Sequence, residues 1–354
     1  MVGCVDGVSL RAYNPFWPFA GGFIGRVGAV KLIVQIPCYN EQQCLPETLA
    51  DLPEEIPGID SVETLVVDDG SEDATVHIAR RQGVDHVVAL GRRRGLAGAW
   101  RAGIESALRA GADIIVNTDA DNQYEGADVE ALVRPILNGE ADMVIGERPI
   151  GQVEHFSWLK KRLQRLGSWT VSRLAGVKVP DAASGFRAYS RDAAMRLNLN
   201  GSYSHCLETI IRAARSGIAI RSVPVRTNPR RRPSRLMKST LHYLVRQSVD
   251  IVRAFTMVRP LRVFGLAALL LVLLGVAGCV RFLIFFFSGG GAGHVQSVVL
   301  SAMLVIVGFV VGMIGLAADM ISANRRLIEE SLYRLKKLEM DGAAEAQPAR
   351  REQS

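Results

Sequence analysis

Only five cysteines occur in 354 residues, Cys4, Cys38, Cys44, Cys206 and Cys279, an odd number at wide spacings. No C-x-x-C pair is present, so neither a zinc site nor a thioredoxin-like redox motif is supported. A reducing compartment fits better than a disulfide framework, and buried or idle thiols are the expectation. Glycine-rich nucleotide signatures are missing as well. No G-x-G-x-x-G follows the first apolar run, and there is no G-x-x-x-x-G-K-[ST] loop. A dinucleotide oxidoreductase and a Walker-type ATPase therefore lose their sequence basis. Histidine is scarce too. His77, His86, His155, His205, His242 and His294 form no spaced pair, so satisfied or exposed imidazoles are expected rather than a catalytic one. Disorder is excluded, because at 49% hydrophobic residues the chain buries enough surface to offset its entropy.

The charge balance is basic, 42 Lys plus Arg against 35 Asp plus Glu, a net +7. That surplus is local. Residues 226–262 hold ten Lys or Arg and a single acid, Asp250, which leaves the rest of the chain slightly acidic. Arg230, Arg231 and Arg232 lie between Pro229 and Pro233, which marks a loop. From 236 to 258 apolar residues recur at helical spacing, with Lys238, Arg246 and Arg253 off that face. A basic amphipathic helix just before a membrane entry is expected to lie in the interface. Nucleic acid is the rival partner for such charges, but no helix-turn-helix, zinc or RNA-recognition signature accompanies them.

Two long apolar runs follow. Residues 263–280 carry no charge, and after Arg281 the run FLIFFF ends at Phe287; residues 295–318 are also uncharged. About 20 apolar residues in a helix cross the hydrocarbon core, so 263–287 and 295–318 are expected to be transmembrane helices. The connection SGGGAGH (288–294) lacks Lys and Arg, whereas Arg259, Arg262, Arg325, Arg326, Arg334, Lys336 and Lys337 flank the spans. By the positive-inside rule both long flanks, the one before residue 263 and the C-terminal tail 319–354, are expected in the cytoplasm. Arg281 sits near the far end of its span, where its side chain reaches the headgroups. Residues 1–30 form a leader whose aromatic stretch NPFWPFAGGF carries no signal-peptide pattern.

Between 31 and 225, short apolar runs alternate with helical stretches. LIVQIP (32–37), TLVVDD (64–69), HVVAL (86–90), DIIVNTD (113–119) and DMVIGE (142–147) are expected to be buried strands. Pro46 and Glu47 open one helix; Ser71 is a candidate N-cap for a second, with Glu72 and Asp73 in its first turn. Residues 96–110 form an Ala-rich amphipathic helix stopped by Gly111. This alternation predicts an α/β domain with a mostly parallel sheet, whose ligands bind at the carboxyl ends of the strands. The polar residues gather there: Pro37 to Glu41, Asp68 to Ser71, and Asp119 to Gln123. In an extended segment Asp119 and Asp121 share a face. Hard carboxylates with a Gln oxygen suit Mg²⁺ or Mn²⁺ and not zinc. A solvated turn is the alternative for a lone D-x-D, and two other acidic strand ends weigh against it.

The set Pro37-x-Tyr39-Asn40-Glu41, Asp68-Asp69-Gly70-Ser71 and Asp119-x-Asp121-x-Gln123 resembles the family 2 glycosyltransferases of the GT-A fold. GER (146–148), SGFRAYSR (184–191) and the basic segment before two spans are similar to the dolichyl- or polyprenyl-phosphate hexosyl synthases. The resemblance implies roles. Pro37, Tyr39, Glu41 and Asp69, with Asp68 nearby, would line the donor's base and ribose pocket. Asp119, Asp121 and Gln123 would hold the divalent cation, and Arg148 would face a donor or acceptor phosphate. Lys161 and Arg162 fall where the family places cations for the lipid phosphate, with Arg165 nearby; a solvated helix face is the alternative for each of these basic residues. Glu208 is a candidate donor-sugar contact or base, or a plain helix residue. Arg92, Arg93 and Arg94 are a candidate diphosphate edge or a solvated turn. The Q-x-x-R-W motif of processive polysaccharide synthases is missing, which favours a single sugar transfer.

The expected activity is inverting transfer of one hexose from GDP-mannose or a UDP-sugar to a polyprenyl phosphate. A membrane-tethered transferase acting on a glycan or protein hydroxyl, and a non-catalytic membrane subunit of the same fold, are the alternatives. No nucleic-acid partner is expected. The family includes monomers and tetramers, which leaves a homo-oligomer open.

Overall fold

The computed structural model describes residues 29–149, 167–169, 171–173, 176–197, 205–228, 260–288 and 295–351. Lys161, Arg162, Arg165, most of the leader and residues 229–259 of the basic segment lie outside them. Seven strands form one sheet: β1 (Lys31–Cys38), β2 (Ser61–Asp68), β3 (His86–Ala89), β4 (Ile114–Asn117), β5 (Met143–Glu147), β6 (Arg187–Ser190) and β7 (Ile220–Pro224). Their order is β3-β2-β1-β4-β6-β5-β7, with β6 antiparallel to both neighbours and every other pairing parallel. The first five apolar runs are thus all strands. The fourth is shorter than expected and ends at Asn117, so Asp119 lies past the strand and Asp121 in the turn that follows. The antiparallel β6 and the edge strand β7 complete the sheet.

Strand residues alternate between two helical layers, as the period of two demands. Leu32 and Val34 of β1, with Ile114 and Val116 of β4, face α4 (Val129–Leu137) through Val129, Leu132, Val133 and Ile136. Ile33, Leu65, Val67 and Ile115 face the opposite way, onto α3 (Leu96–Arg109). Burial on both faces is why β1 reads as an unbroken apolar run. On α3 the residues Trp100, Gly103, Ile104, Ala107 and Leu108 repeat at three- and four-residue spacing and are buried. Trp100 meets Tyr189 of β6 edge to face at 5.7 Å between ring centroids. Truncating it to alanine is expected to cost about 3–5 kcal/mol. The helix ends where Gly111 takes a φ of +86°.

Two short helices, α1 (Leu45–Ala50) and α2 (Thr75–Arg81), follow β1 and β2. The second corrects an expectation: Ser71 is not its N-cap. The helix begins at Thr75 after Ala74. Ser71 instead accepts from the Asn40 amide through its hydroxyl at 2.9 Å, and its own N–H is taken by Asp68. Ser190 does cap α5 (Arg191–Arg196), accepting from Ala193 N at 3.2 Å. Next comes α6 (His205–Arg215). The four described cysteines form no disulfide. His86 is satisfied by Glu63 at 2.8 Å.

The last two helices are α7 (Pro260–Phe287) and α8 (Val295–Arg351). Both are long and apolar enough to cross a membrane. Leucines and phenylalanines along them are exposed in the isolated chain, as lipid-facing residues are. Small residues let the pair close. A Cβ on Gly275 would stand 2.7 Å from the Ser301 carbonyl, and one on Gly308 would stand 2.8 Å from Val272. Arg281 lies 5.6 Å over the Phe285 ring. The tail expected after residue 318 is a direct continuation of α8, and its Tyr333 and Met340 join the core that contains α3.

Candidate active site

Three loops at the carboxyl ends of β1, β2 and β4 build the site. The first two are stitched together through backbone groups. Asn40 N donates to Ser71 Oγ at 2.9 Å and Glu72 N donates to Asn40 Oδ1 at 2.9 Å. Glu41 N donates to Thr75 Oγ1 at 2.9 Å, and Gln42 N to Asp73 Oδ2 at 3.2 Å. Asp68 accepts from the Gly70 and Ser71 amides and so shapes its own turn. Gly70, at φ +77°, lies against the Arg92–Arg93 backbone, where a Cβ would stand 3.0 Å from two main-chain atoms. Asp69, buried, accepts from Arg94 N at 2.6 Å and Gly95 N at 2.8 Å, which anchors the arginine loop at the entrance of α3. The Arg93 guanidinium covers the Tyr39 ring at 4.1 Å. Thus Pro37, Tyr39, Glu41, Asp68 and Asp69 lie at the carboxyl ends of the paired strands β1 and β2, and the arginine loop is fastened to them through Asp69, Gly70 and Tyr39. Among these carboxylates the Cys38 thiol stays protonated: burial first, then Glu41, Asp68 and Asp73, push its pKa well up.

The β4 loop carries the acidic pair. Among the described residues, Asn40 and Asn122 are the non-glycine residues with positive φ, 56° and 52°, and each sits in one of the loops named above. Left-handed backbone at a non-glycine residue is costly and concentrates at functional loops. Gln123 donates its side-chain amide to Asp121 Oδ2 at 2.7 Å and its backbone amide to Asp121 Oδ1 at 3.3 Å. The Asn122 side-chain oxygen is buried without a hydrogen-bond partner. Asp119, Asp121 and Asn122 stand within four residues of the chain, and their oxygens are the donor type that suits Mg²⁺ or Mn²⁺. Among the described residues no three His, Cys, Asp or Glu side chains gather. A cation here would therefore complete its shell with water and substrate phosphate.

Behind the pair runs a buried amide relay that sequence reading missed. Gln35 Nε2 donates to Asn117 Oδ1 at 2.9 Å, and Asn117 Nδ2 donates to the Gly185 carbonyl at 2.8 Å. Gly185 N donates to Tyr124 Oη at 3.2 Å. This pins Gly185 where a Cβ would stand 2.9 and 3.0 Å from the Asp119 carboxylate oxygens. Asp181 is the second omission. It is fully buried and grips Arg148 with two bonds, Nε to Oδ2 at 2.6 Å and Nη2 to Oδ1 at 3.1 Å. Burial works against the Arg148 charge, but Tyr124, Asp181 and Asp119 outweigh it and hold the guanidinium above its ordinary pKa. Burial pushes the Tyr124 phenol up to about 12, with Arg148 opposing and Asp119 adding. Arg148 therefore stands charged within reach of Asp119. Arg187, also fully buried, ties the Ala182 and Ser184 carbonyls to the Cys206 carbonyl and Thr209 hydroxyl at the start of α6. Glu208 of α6 is engaged by Arg212 at 2.9 Å.

An α/β sheet with one antiparallel strand, stitched loops at β1 and β2 and an acidic turn after β4 defines a GT-A glycosyltransferase domain. The family model for glycosyl transferase family 2 matches residues 33–197. An undecaprenyl-phosphate mannosyltransferase of Micrococcus luteus is 31% identical over 206 residues, 55% of this chain and 83% of that one. A UDP-N-acetylglucosamine–dolichyl-phosphate N-acetylglucosaminyltransferase of Methanococcus voltae is 30% identical, over 54% of this chain and 83% of that one. Among solved structures, glucosyl-3-phosphoglycerate synthase from Mycobacterium tuberculosis, in complex with Mn²⁺, UDP and phosphoglyceric acid, shares the fold. It matches with a TM-score of 0.50 at 22% identity, over 69% of this chain and 84% of that one. The chain belongs to glycosyl transferase family 2.

Proposed function

We propose that this chain moves one hexose from a nucleoside-diphosphate sugar to a polyprenyl phosphate at a membrane surface, with inversion at the anomeric carbon. The observation that carries this reading is Asp119 acting on the Asp181-held Arg148, on a domain fused to two span-length apolar helices. The relatives named for undecaprenyl and dolichyl phosphate support it. GDP-mannose and UDP-sugars both suit the pocket of Pro37, Tyr39, Glu41, Asp68 and Asp69.

Asp119 and Asp121, with Gln123 bracing Asp121, would hold Mg²⁺ or Mn²⁺. When bound, the cation supplies Lewis acidity to the departing diphosphate. The stitched loops fix the base and ribose, and Arg148 presents a charged fork to phosphate oxygens. Lys161 and Arg162 are further candidates for the acceptor phosphate. That acceptor's second pKa is about 6, by analogy with phosphate monoesters on side chains. It arrives as a dianion and needs no strong general base, which accords with the dispersed histidines. Residues 226–262 lie at the headgroups in this reading, and the catalytic domain and C-terminus face the cytoplasm.

The test is a donor screen. Purified full-length protein with Mn²⁺ and one polyprenyl phosphate is offered radiolabelled GDP-mannose, UDP-glucose and UDP-N-acetylglucosamine. Label extracted into organic solvent with a single donor, in the inverted configuration, supports the reading. Label on protein or glycan alone, or retained configuration, overturns it.

A further inference from the structure

Beyond its apolar run, which ends at Ala318, α8 presents a stripe at Ser322, Glu329, Tyr333 and Met340, spaced by seven, four and seven residues. That spacing keeps all four on one side of a helix. Each of them meets the catalytic domain or lies in its core. Arg215 donates to Ser322 Oγ at 2.9 Å, and Arg212 donates to Glu329 Oε1 at 2.7 Å. Tyr333 donates to Asp192, while Arg196 lies over its ring at 3.9 Å. Tyr333 and Met340 are 8% and 6% exposed, within the same core as Trp100 and Leu108. A lone exposed ion pair holds little. Here the Arg212 side chain is 9% exposed and the polar contacts flank buried apolar ones.

We propose that α8 beyond Ala318 is a strut that holds the α5–α6 face of the catalytic domain at a set distance from the bilayer, fastened by Glu329–Arg212 and Tyr333–Asp192. The helix is continuous, so eleven residues from Ala318 to Glu329 give a spacing of about 16 Å. Arg212 also holds Glu208, so the fastening leads to the candidate sugar contact. The functional side of this inference rests on the polyprenyl-phosphate reading. A lipid phosphate emerges at one depth, and a fixed active-site height matches it.

Two measurements on the full chain test the strut. In the first, seven residues are inserted after Met320, two turns that keep the stripe nearly in phase while adding about 10 Å. Transfer to a long-chain polyprenyl phosphate in a nanodisc should fall at least tenfold. Transfer to a short, water-soluble isoprenyl phosphate in detergent should stay within threefold. Equal losses on both acceptors, or no loss on either, overturn the strut. The second measurement needs no activity. Energy transfer is read between a dye on an unnatural side chain at position 72, which is exposed, and labelled headgroups. The Glu329→Gln, Tyr333→Phe double variant should broaden the distance distribution; an unchanged distribution overturns the strut. A wild type that transfers to neither acceptor from any nucleotide sugar refutes the polyprenyl-phosphate reading, and the distance measurement then decides the strut alone.

Discussion

Asp181→Asn is the most informative single substitution in the site. The carboxylate is fully buried, the Arg148 side chain is 16% exposed, and two hydrogen bonds join them. Asparagine keeps the shape and one acceptor oxygen but removes the charge. Breaking a buried pair from one side leaves the other charge uncompensated, at a cost of about 3–5 kcal/mol. Because one bond survives, a loss of about 3 kcal/mol is expected. Urea unfolding of the full chain in micelles, followed by the fluorescence of buried Trp100, reads this as a lower midpoint at unchanged slope. Glu105→Gln is the control, since Glu105 and Arg109 form an exposed pair on α3 and its loss should cost less than about 1 kcal/mol. In sugar transfer, Asp181→Asn should lower kcat at least tenfold while the KM for the nucleotide sugar stays within threefold, because Arg148 loses its orientation and the donor pocket does not. A midpoint shift as small as the control's would show that Asp181 does not balance the Arg148 charge.

Gly185→Ala places a methyl against the Asp119 carboxylate on a backbone held from both sides, so the Mn²⁺ concentration for half-maximal transfer should rise at least tenfold; an unchanged metal titration counts against the cradle. Asp121→Asn should cut transfer at least a hundredfold, and chelation should abolish wild-type transfer until Mn²⁺ is restored; transfer that survives chelation removes the metal role. Burial works upward on Glu63, but Lys31 and His86 outweigh it and lower its pKa. Its stabilisation is complete above the unfolded carboxylate value of about 4.3 and is lost as pH falls through the lower folded value. The thermal midpoint of wild type should therefore drop more between about pH 5 and pH 3 than that of Glu63→Gln; parallel profiles refute the assignment.

How much was legible in the sequence depended on what each residue touches. Parallel strands buried on both faces, such as β1 and β4, announce themselves as apolar runs. β6 hid because its first residue, Arg187, is a charge that four carbonyl and hydroxyl partners make tolerable in a core. Ser71 has the composition of a helix cap, yet a partner 31 residues away claimed its hydroxyl. Asp119 and Asp121 stand out in the sequence as a pair because their spacing is local. Asp181 was not, since its partner lies 33 residues off in sequence and no periodicity links them. The continuation of α8 was masked by the run of charges after Ala318, of which Glu329 and Glu330 reach Arg212 and Arg196 of the catalytic domain.

The glycine seam between α7 and α8 turns the hairpin into a lever. Gly308 packs closely on Val272 and Ala268, and Tyr333 lies about 37 Å along the same helix. A tilt of about 10°, of the order that a thicker or thinner bilayer imposes, swings the Tyr333 end through about 6 Å. Across a membrane, such a tilt would turn lipid thickness into lateral displacement at the Tyr333–Asp192 contact. Substitutions deep in the membrane, far from any substrate, acquire a route to the reaction rate.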